Sequence, residues 1–183
     1  MKIAIIDSGI HADHPHVGGI AGGIAIAGDD LTDRLGHGTA VAGAIREKVP
    51  DAELYAVKIF DRRLSTNFAI LEKALEWCVE NEMDVINLSI GTNKPLPEIA
   101  PLIVSPQMVQ PDPACPRDKY FYREGIFYAS PYPRPIPGVP VEANLQGASF
   151  AVANMTGFVV RALADTPRDA ILPALIARAA NNP

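Results

Sequence analysis

Two cysteines in 183 residues, Cys78 and Cys115, are too few for a disulfide framework. Cys78 falls within a helical pattern, where the expected role is that of a small buried apolar residue. Basic runs are missing as well, and the net charge is −5, which argues against nucleic acid or an anionic membrane as the main partner. Long apolar stretches are absent: Ile3 to Ile6 is far too short to cross a bilayer. Met1-Lys2 leads directly into that stretch and leaves no room for a signal peptide, so a cytoplasmic location is expected. Nor is there an acidic cluster of the kind that holds calcium, Asp29-Asp30 reading as a solvated turn.

Histidine is scarce and unevenly placed. All four, His11, His14, His16 and His37, lie within the first 37 residues. With Asp7 and Asp13 beside them they invite a transition-metal reading, but their spacing matches no ligand motif with known mechanics. Neither metal nor cofactor is expected. A hydrophobic content of 48% is enough for one substantial core, so a single domain over residues 1–183 is the simplest organisation.

Short apolar runs alternate with helical patterns. Lys2–Ile6, Glu53–Ile59 and Val85–Ile90 are bounded by turn residues and suit buried strands of a mainly parallel sheet. Thr39 to Lys48 reads as a helix. Phe68, Leu71, Leu75 and Cys78 recur at helical spacing behind a cap supplied by Ser65 or Thr66. The run from Ser149 to Leu163 reads as a buried helix, and Thr166-Pro167-Arg168-Asp169 opens a last one that Pro173 is expected to kink or split. This alternation makes a three-layer αβα domain, whose site belongs beyond the carboxyl ends of the strands. The middle is different: 12 of the 17 prolines lie between Pro95 and Pro140, a proline-rich stretch expected to be dominated by loops. Ser130–Pro140 reads as a stiff loop that positions Ser149, a polyproline ligand for a partner groove being the other reading.

Three motifs carry chemistry: Asp7-Ser8-Gly9, His37-Gly38-Thr39-Ala40-Val41-Ala42-Gly43 and Gly147-Ala148-Ser149-Phe150-Ala151. Each alone is ordinary turn or cap chemistry. Together they supply an acid, a base and a nucleophile. A serine hydroxyl attacks poorly at neutral pH unless an imidazole takes its proton, and the imidazole needs a carboxylate to fix its tautomer and stabilise its charged form.

In the order Asp, His, Ser these motifs resemble the subtilisin-like serine peptidases, and His14-Pro15, Leu54–Lys58 and Leu75–Gly91 are similar to further family segments. The resemblance implies an α/β, three-layer αβα fold with a mainly parallel central sheet, shortened in the middle, and catalysis by Asp7, His37 and Ser149. It implies peptide or protein substrates laid along Ser89, Ile90 and Gly91 as an added strand, and an oxyanion donor in the backbone N–H of Ser149. The family's oxyanion asparagine has no counterpart here. If Leu102-Ile103-Val104 is a shortened pocket strand, Gln107 is the substitute donor; the plainer reading is a solvated loop amide. Ala148, Phe150 and Ala153 also depart from the family pattern, which usually has threonine, methionine and proline there. Two functions follow: a serine endopeptidase, slow and acting on a precursor peptide, or a catalytically impaired peptide-binding accessory protein.

Overall fold

The computed structural model describes residues 1–91 and 95–180. Five strands, β1 (Lys2–Asp7), β2 (Gly22–Ala25), β3 (Glu53–Lys58), β4 (Val85–Leu88) and β5 (Leu102–Val104), form a parallel sheet in the order β2-β3-β1-β4-β5. Side chains of a strand point alternately to opposite faces, so a fully apolar strand must be covered on both. In β1, Ile3 and Ile5 enter one core while Ala4 and Ile6 enter the other. On the first face lie α1 (His37–Lys48) and α3 (Ala148–Leu163), contributing Val41, Ile45, Val152, Met155 and Val159. The second face is covered by α2 (Phe68–Glu80) through Leu71, Ala74, Leu75 and Cys78. These are the expected three layers.

The proline-rich middle holds more regular structure than its composition foretells. Besides β5 it contains β6 (Val109–Pro111), β7 (Tyr120–Arg123) and β8 (Ile126–Ala129), a small sheet in the order β6-β8-β7. Proline tolerates this because Pro111 ends an edge strand, where a missing N–H costs no ladder bond. Val109, Tyr120 and Phe127 from this sheet join the first-face core. Pro131, Pro133, Pro135 and Pro137 follow β8 and run outside any strand.

Three local expectations need correction. The cap of α2 is Asn67, whose side chain accepts the Ile70 N–H at 3.1 Å, and not Ser65 or Thr66. Pro173 does not kink the last helix, α4 (Ile171–Arg178), because it falls in the first turn, where amides have no intrahelical acceptor to lose. Thr166 does not cap it: a short 3₁₀ turn, Arg168–Ala170, intervenes, and the Thr166 hydroxyl donates to Asp165 at 2.8 Å. The glycine-rich β2 has no strand signal in sequence and forms by pairing with β3.

Candidate active site

Asp7 is the last residue of β1, at the carboxyl edge of the sheet, and is fully buried. The chain turns sharply behind it. Gly9 has φ +97°, and a Cβ there would lie 2.4 Å from the Leu31 carbonyl oxygen. A Cβ on Gly38 would lie 2.2 Å from the Gly9 carbonyl oxygen. Glycine at both positions therefore lets the start of α1 close directly onto the end of β1. That contact brings two distant motifs together.

His37 opens α1 and donates from Nδ1 to Asp7 Oδ1 at 2.7 Å. With the proton held on Nδ1, Nε2 is left as the basic nitrogen. Burial pulls the imidazole pKa down, but the bond to Asp7 and the charges of Asp7 and Asp33 outweigh it, and the net shift is upward from 6.5. Asp7 Oδ1 also accepts the Ser8 N–H at 2.7 Å, while Oδ2 is buried without a protein partner.

Sequence reasoning overlooked the group that builds this corner. Asp33 is buried; its Oδ2 accepts the N–H and hydroxyl of Thr39 at 2.8 and 2.7 Å, and its Oδ1 accepts the N–H groups of Leu35 and Gly36. The Ser8 hydroxyl, 2.8 Å from Asp33 Oδ1, accepts the Gly38 N–H at 3.0 Å. Asp33 thus satisfies the first-turn amide of Thr39, which the helix cannot satisfy itself, together with the two amides that lead into it. A signal existed: aspartate followed at two and three residues by turn amides is Asx-turn chemistry.

Ser149 is the second residue of α3, so its amide belongs to the first turn and lacks an intrahelical acceptor, at the positive end of the helix dipole. The ring of neighbouring Phe150 lies 5.5 Å from that of His37, which puts the start of α3 beside the imidazole. The Ser149 hydroxyl donates to the Ser89 carbonyl at 3.4 Å; among the described residues it makes no hydrogen bond to His37. Two links fix α3 against β4 and the loop ahead of it. Thr156 Oγ1 lies 2.9 Å from Asn87 Oδ1, and Asn87 donates to the Ser89 hydroxyl at 3.0 Å. Asn154 donates to the carbonyls of Ser130 and Tyr132 at 3.0 and 2.9 Å, and the Gly147 N–H donates to Pro131 at 2.9 Å. The start of the proline-rich loop is therefore tied to the helix that carries the serine.

Ser89, Ile90 and Gly91 continue β4 beyond the point where β5 ends, since the β4–β5 register stops at Asn87 and Val104. Among the described residues no backbone group of these three enters a backbone–backbone hydrogen bond, although the Ser89 carbonyl accepts the Ser149 hydroxyl. Gln107 is exposed in the turn between β5 and β6, where it helps line a cleft with Leu96, Ile99 and Met108. None of Asp7, His37 and Ser149 lines that cleft. Both cysteines are free and buried; burial pushes the Cys78 thiol up to about 12 and the Cys115 thiol up to about 11.

A three-layer α/β fold with an acid at a strand end, a histidine opening the next helix and a serine opening a later one defines a subtilisin-like protein. The subtilase family model matches residues 1–114, and the chain belongs to that family. It is 32% identical over 168 residues to Subtilisin E of Bacillus subtilis (strain 168), a match covering 84% of this chain and 44% of that protein. The chain therefore spans less than half the length of that relative. Among solved structures, a cold adapted subtilisin-like serine proteinase superposes with a TM-score of 0.69 at 17% identity, covering 90% of this chain and 76% of that one. The Prenylagaramide maturation protease PagA gives a TM-score of 0.62 at 18% identity, with coverages of 87% and 74%. Both likenesses speak for the fold. No described helix is long and apolar enough to cross a membrane.

Proposed function

We propose that this protein is a serine endopeptidase in which Asp7 orients His37, His37 removes the proton of Ser149, and Ser149 attacks the peptide carbonyl. The observation that carries this reading is the 2.7 Å bond from His37 Nδ1 to a buried carboxylate, which fixes the tautomer a general base needs. Hydrogen bonds of unliganded sites often tighten only with substrate, and the proposal requires the Ser149 hydroxyl to exchange the Ser89 carbonyl for the imidazole. The Ser149 N–H supplies one donor to the oxyanion, and Gln107 is the candidate for a second. Residues 1–183 are proposed to work as one peptidase domain, with substrate added as a strand along Ser89, Ile90 and Gly91. The structural likeness to a maturation protease favours a precursor peptide as substrate.

A second reading, a peptide-binding accessory protein without turnover, draws on the Ser149–Ser89 bond, in which the hydroxyl proton goes to a carbonyl rather than to the base. A fluorophosphonate probe separates the two. Rapid labelling of the wild-type chain, lost in Ser149→Ala and slowed about a thousandfold or more in His37→Ala, is the expected result. A wild-type protein labelled no faster than free serine would overturn the peptidase reading.

A further inference from the structure

Beside His37, on the side formed by the residues that flank it in sequence, lies a cleft of about 410 Å³. Its polar lining is His11, His14, His16, Thr39, Arg134 and Asn144, and Ile136 and Leu145 form an apolar wall. Among the described residues no aspartate or glutamate lines it, in a chain whose net charge is −5. Gly36 and Thr39 are also part of its wall, so the cleft adjoins the candidate general base. It shares no lining residue with the cleft that Ile90 and Gly91 help form.

The cleft is mainly apolar, with a few side-chain donors set into its wall. The His16 N–H donates to His14 Nδ1 at 3.1 Å, which leaves the His14 proton on Nε2, free to donate outward. The His14 and His16 rings meet edge to face at 5.0 Å. Burial and the nearby charge of Arg134 lower the His16 pKa, so His16 is a neutral donor near neutral pH while Arg134 carries the permanent charge. Glu47, the acidic group whose field reaches His16, is engaged by Arg117. Among the described side chains no carboxylate pairs with Arg134. Among the described residues this half-buried guanidinium has no internal counter-ion, and with imidazole donors and an apolar wall lining the same cleft it is complementary to a carboxylate on an apolar stem. The histidines do not converge as a metal site: no group of three or more ligating side chains is so placed among the described residues.

We propose that this cleft is a specificity site that selects a peptide carrying a carboxylate, held by Arg134 with His11, His14 and His16 as supporting donors. The inference rests on the peptidase reading for the substrate's path past Ser149, and deepens it by naming the charge that the substrate carries.

The test is binding to the Ser149→Ala protein, which separates recognition from cleavage. Short fluorescein-labelled peptides with a single aspartate moved along an alanine-leucine background are compared by anisotropy with their asparagine counterparts, each as free acid and as C-terminal amide. A preference of about threefold or more for aspartate at one position, kept in the amides, places the carboxylate on a side chain. A preference of that size for free acid over amide, without aspartate dependence, places it at the peptide's C-terminus. Arg134→Glu should remove either preference and favour lysine at the same position, a reversal that mere loss of packing does not produce. Equal binding of aspartate, asparagine, acid and amide peptides, or no binding of any, overturns the inference. Fluorophosphonate labelling of the wild-type protein decides the peptidase reading independently.

Discussion

Both the amide and the hydroxyl of Thr39 donate to one oxygen of Asp33, at 2.8 and 2.7 Å, while the carboxylate's other oxygen takes the amides of Leu35 and Gly36. Asp33 does not touch the reacting atoms; it fixes the turn that delivers His37 to Asp7. Asp33→Asn replaces one acceptor oxygen by a donor and leaves buried amides unpaired, so a loss of about 2–4 kcal/mol in unfolding free energy is expected from urea titration. The charge of Asp33 also raises the His37 pKa. The same variant should therefore lower the His37 midpoint in an NMR titration, a shift that a purely structural role would not produce.

The sign of the histidine shift sets the pH dependence of serine reactivity. Because the folded His37 pKa lies above 6.5, the neutral base becomes available only above that value, and fluorophosphonate labelling should rise with a midpoint higher than 6.5. The linked stability runs the other way. His37 contributes stability that is complete below the unfolded pKa and is lost as pH rises through the folded one. A labelling rate unchanged from acid to neutral pH would remove His37 from the role of base.

Lys48 gives the opposite linkage. It is buried at the end of α1, with Nζ 2.5 Å from Asn154 Oδ1 and 5.4 Å from the centre of the Phe158 ring. Burial, with the neighbouring charge of Arg117, lowers its pKa from 10.5 to about 8. The unfolded chain binds more protons in that interval, so unfolding free energy should increase between those two values, by up to a few kcal/mol. Urea titrations at about pH 7 and 9.5 should show the wild-type chain gaining stability relative to Lys48→Met, the comparison that cancels the opposing effect of the buried Cys78 and Cys115 thiols.

Gly38→Ala tests the closure of α1 onto β1. The added Cβ would sit 2.2 Å from the Gly9 carbonyl oxygen and 3.2 Å from the Asp7 side chain, so the backbone must separate. A loss of about 1–3 kcal/mol is expected, together with slower fluorophosphonate labelling as His37 moves from Asp7. Unaltered labelling with full stability would show that the close approach is not required.

Neither thiol should react in the folded protein. Cys78 and Cys115 are both buried with pKa values pushed up to about 12 and about 11, so little thiolate forms near neutral pH. Iodoacetamide should modify them only on unfolding, and rapid modification of native protein would contradict their burial.

The segments legible in sequence are those whose own residues dictate their structure. Ile3 to Ile6 is apolar on both faces and short, which requires a strand covered on two sides; Leu71, Leu75 and Cys78 recur at helical spacing, which requires a helix with one buried face. The three motifs of the candidate site were equally legible, because glycine must stand where α1 closes on β1 and a first-turn serine offers both a hydroxyl and a free amide. What stayed hidden depends on distant partners. The short strands β6, β7 and β8 have little periodicity of their own and exist because they pair and because Val109, Tyr120 and Phe127 find a core to enter. The same holds for the glycine-rich β2 against β3.

The sequence by itself determined the Asp7, His37 and Ser149 motifs from which the proposed acid, base and nucleophile are drawn, the α/β alternation and the three layers, since residue type and spacing act locally. Only the tertiary structure decided that Asp33 organises the start of α1 and that Asn154 ties the proline-rich loop to the serine helix. It alone gathered three histidines and Arg134 around one cleft. Their hydrogen bonds and mutual fields join residues tens of positions apart, and such contacts come into being only when the chain has closed on itself.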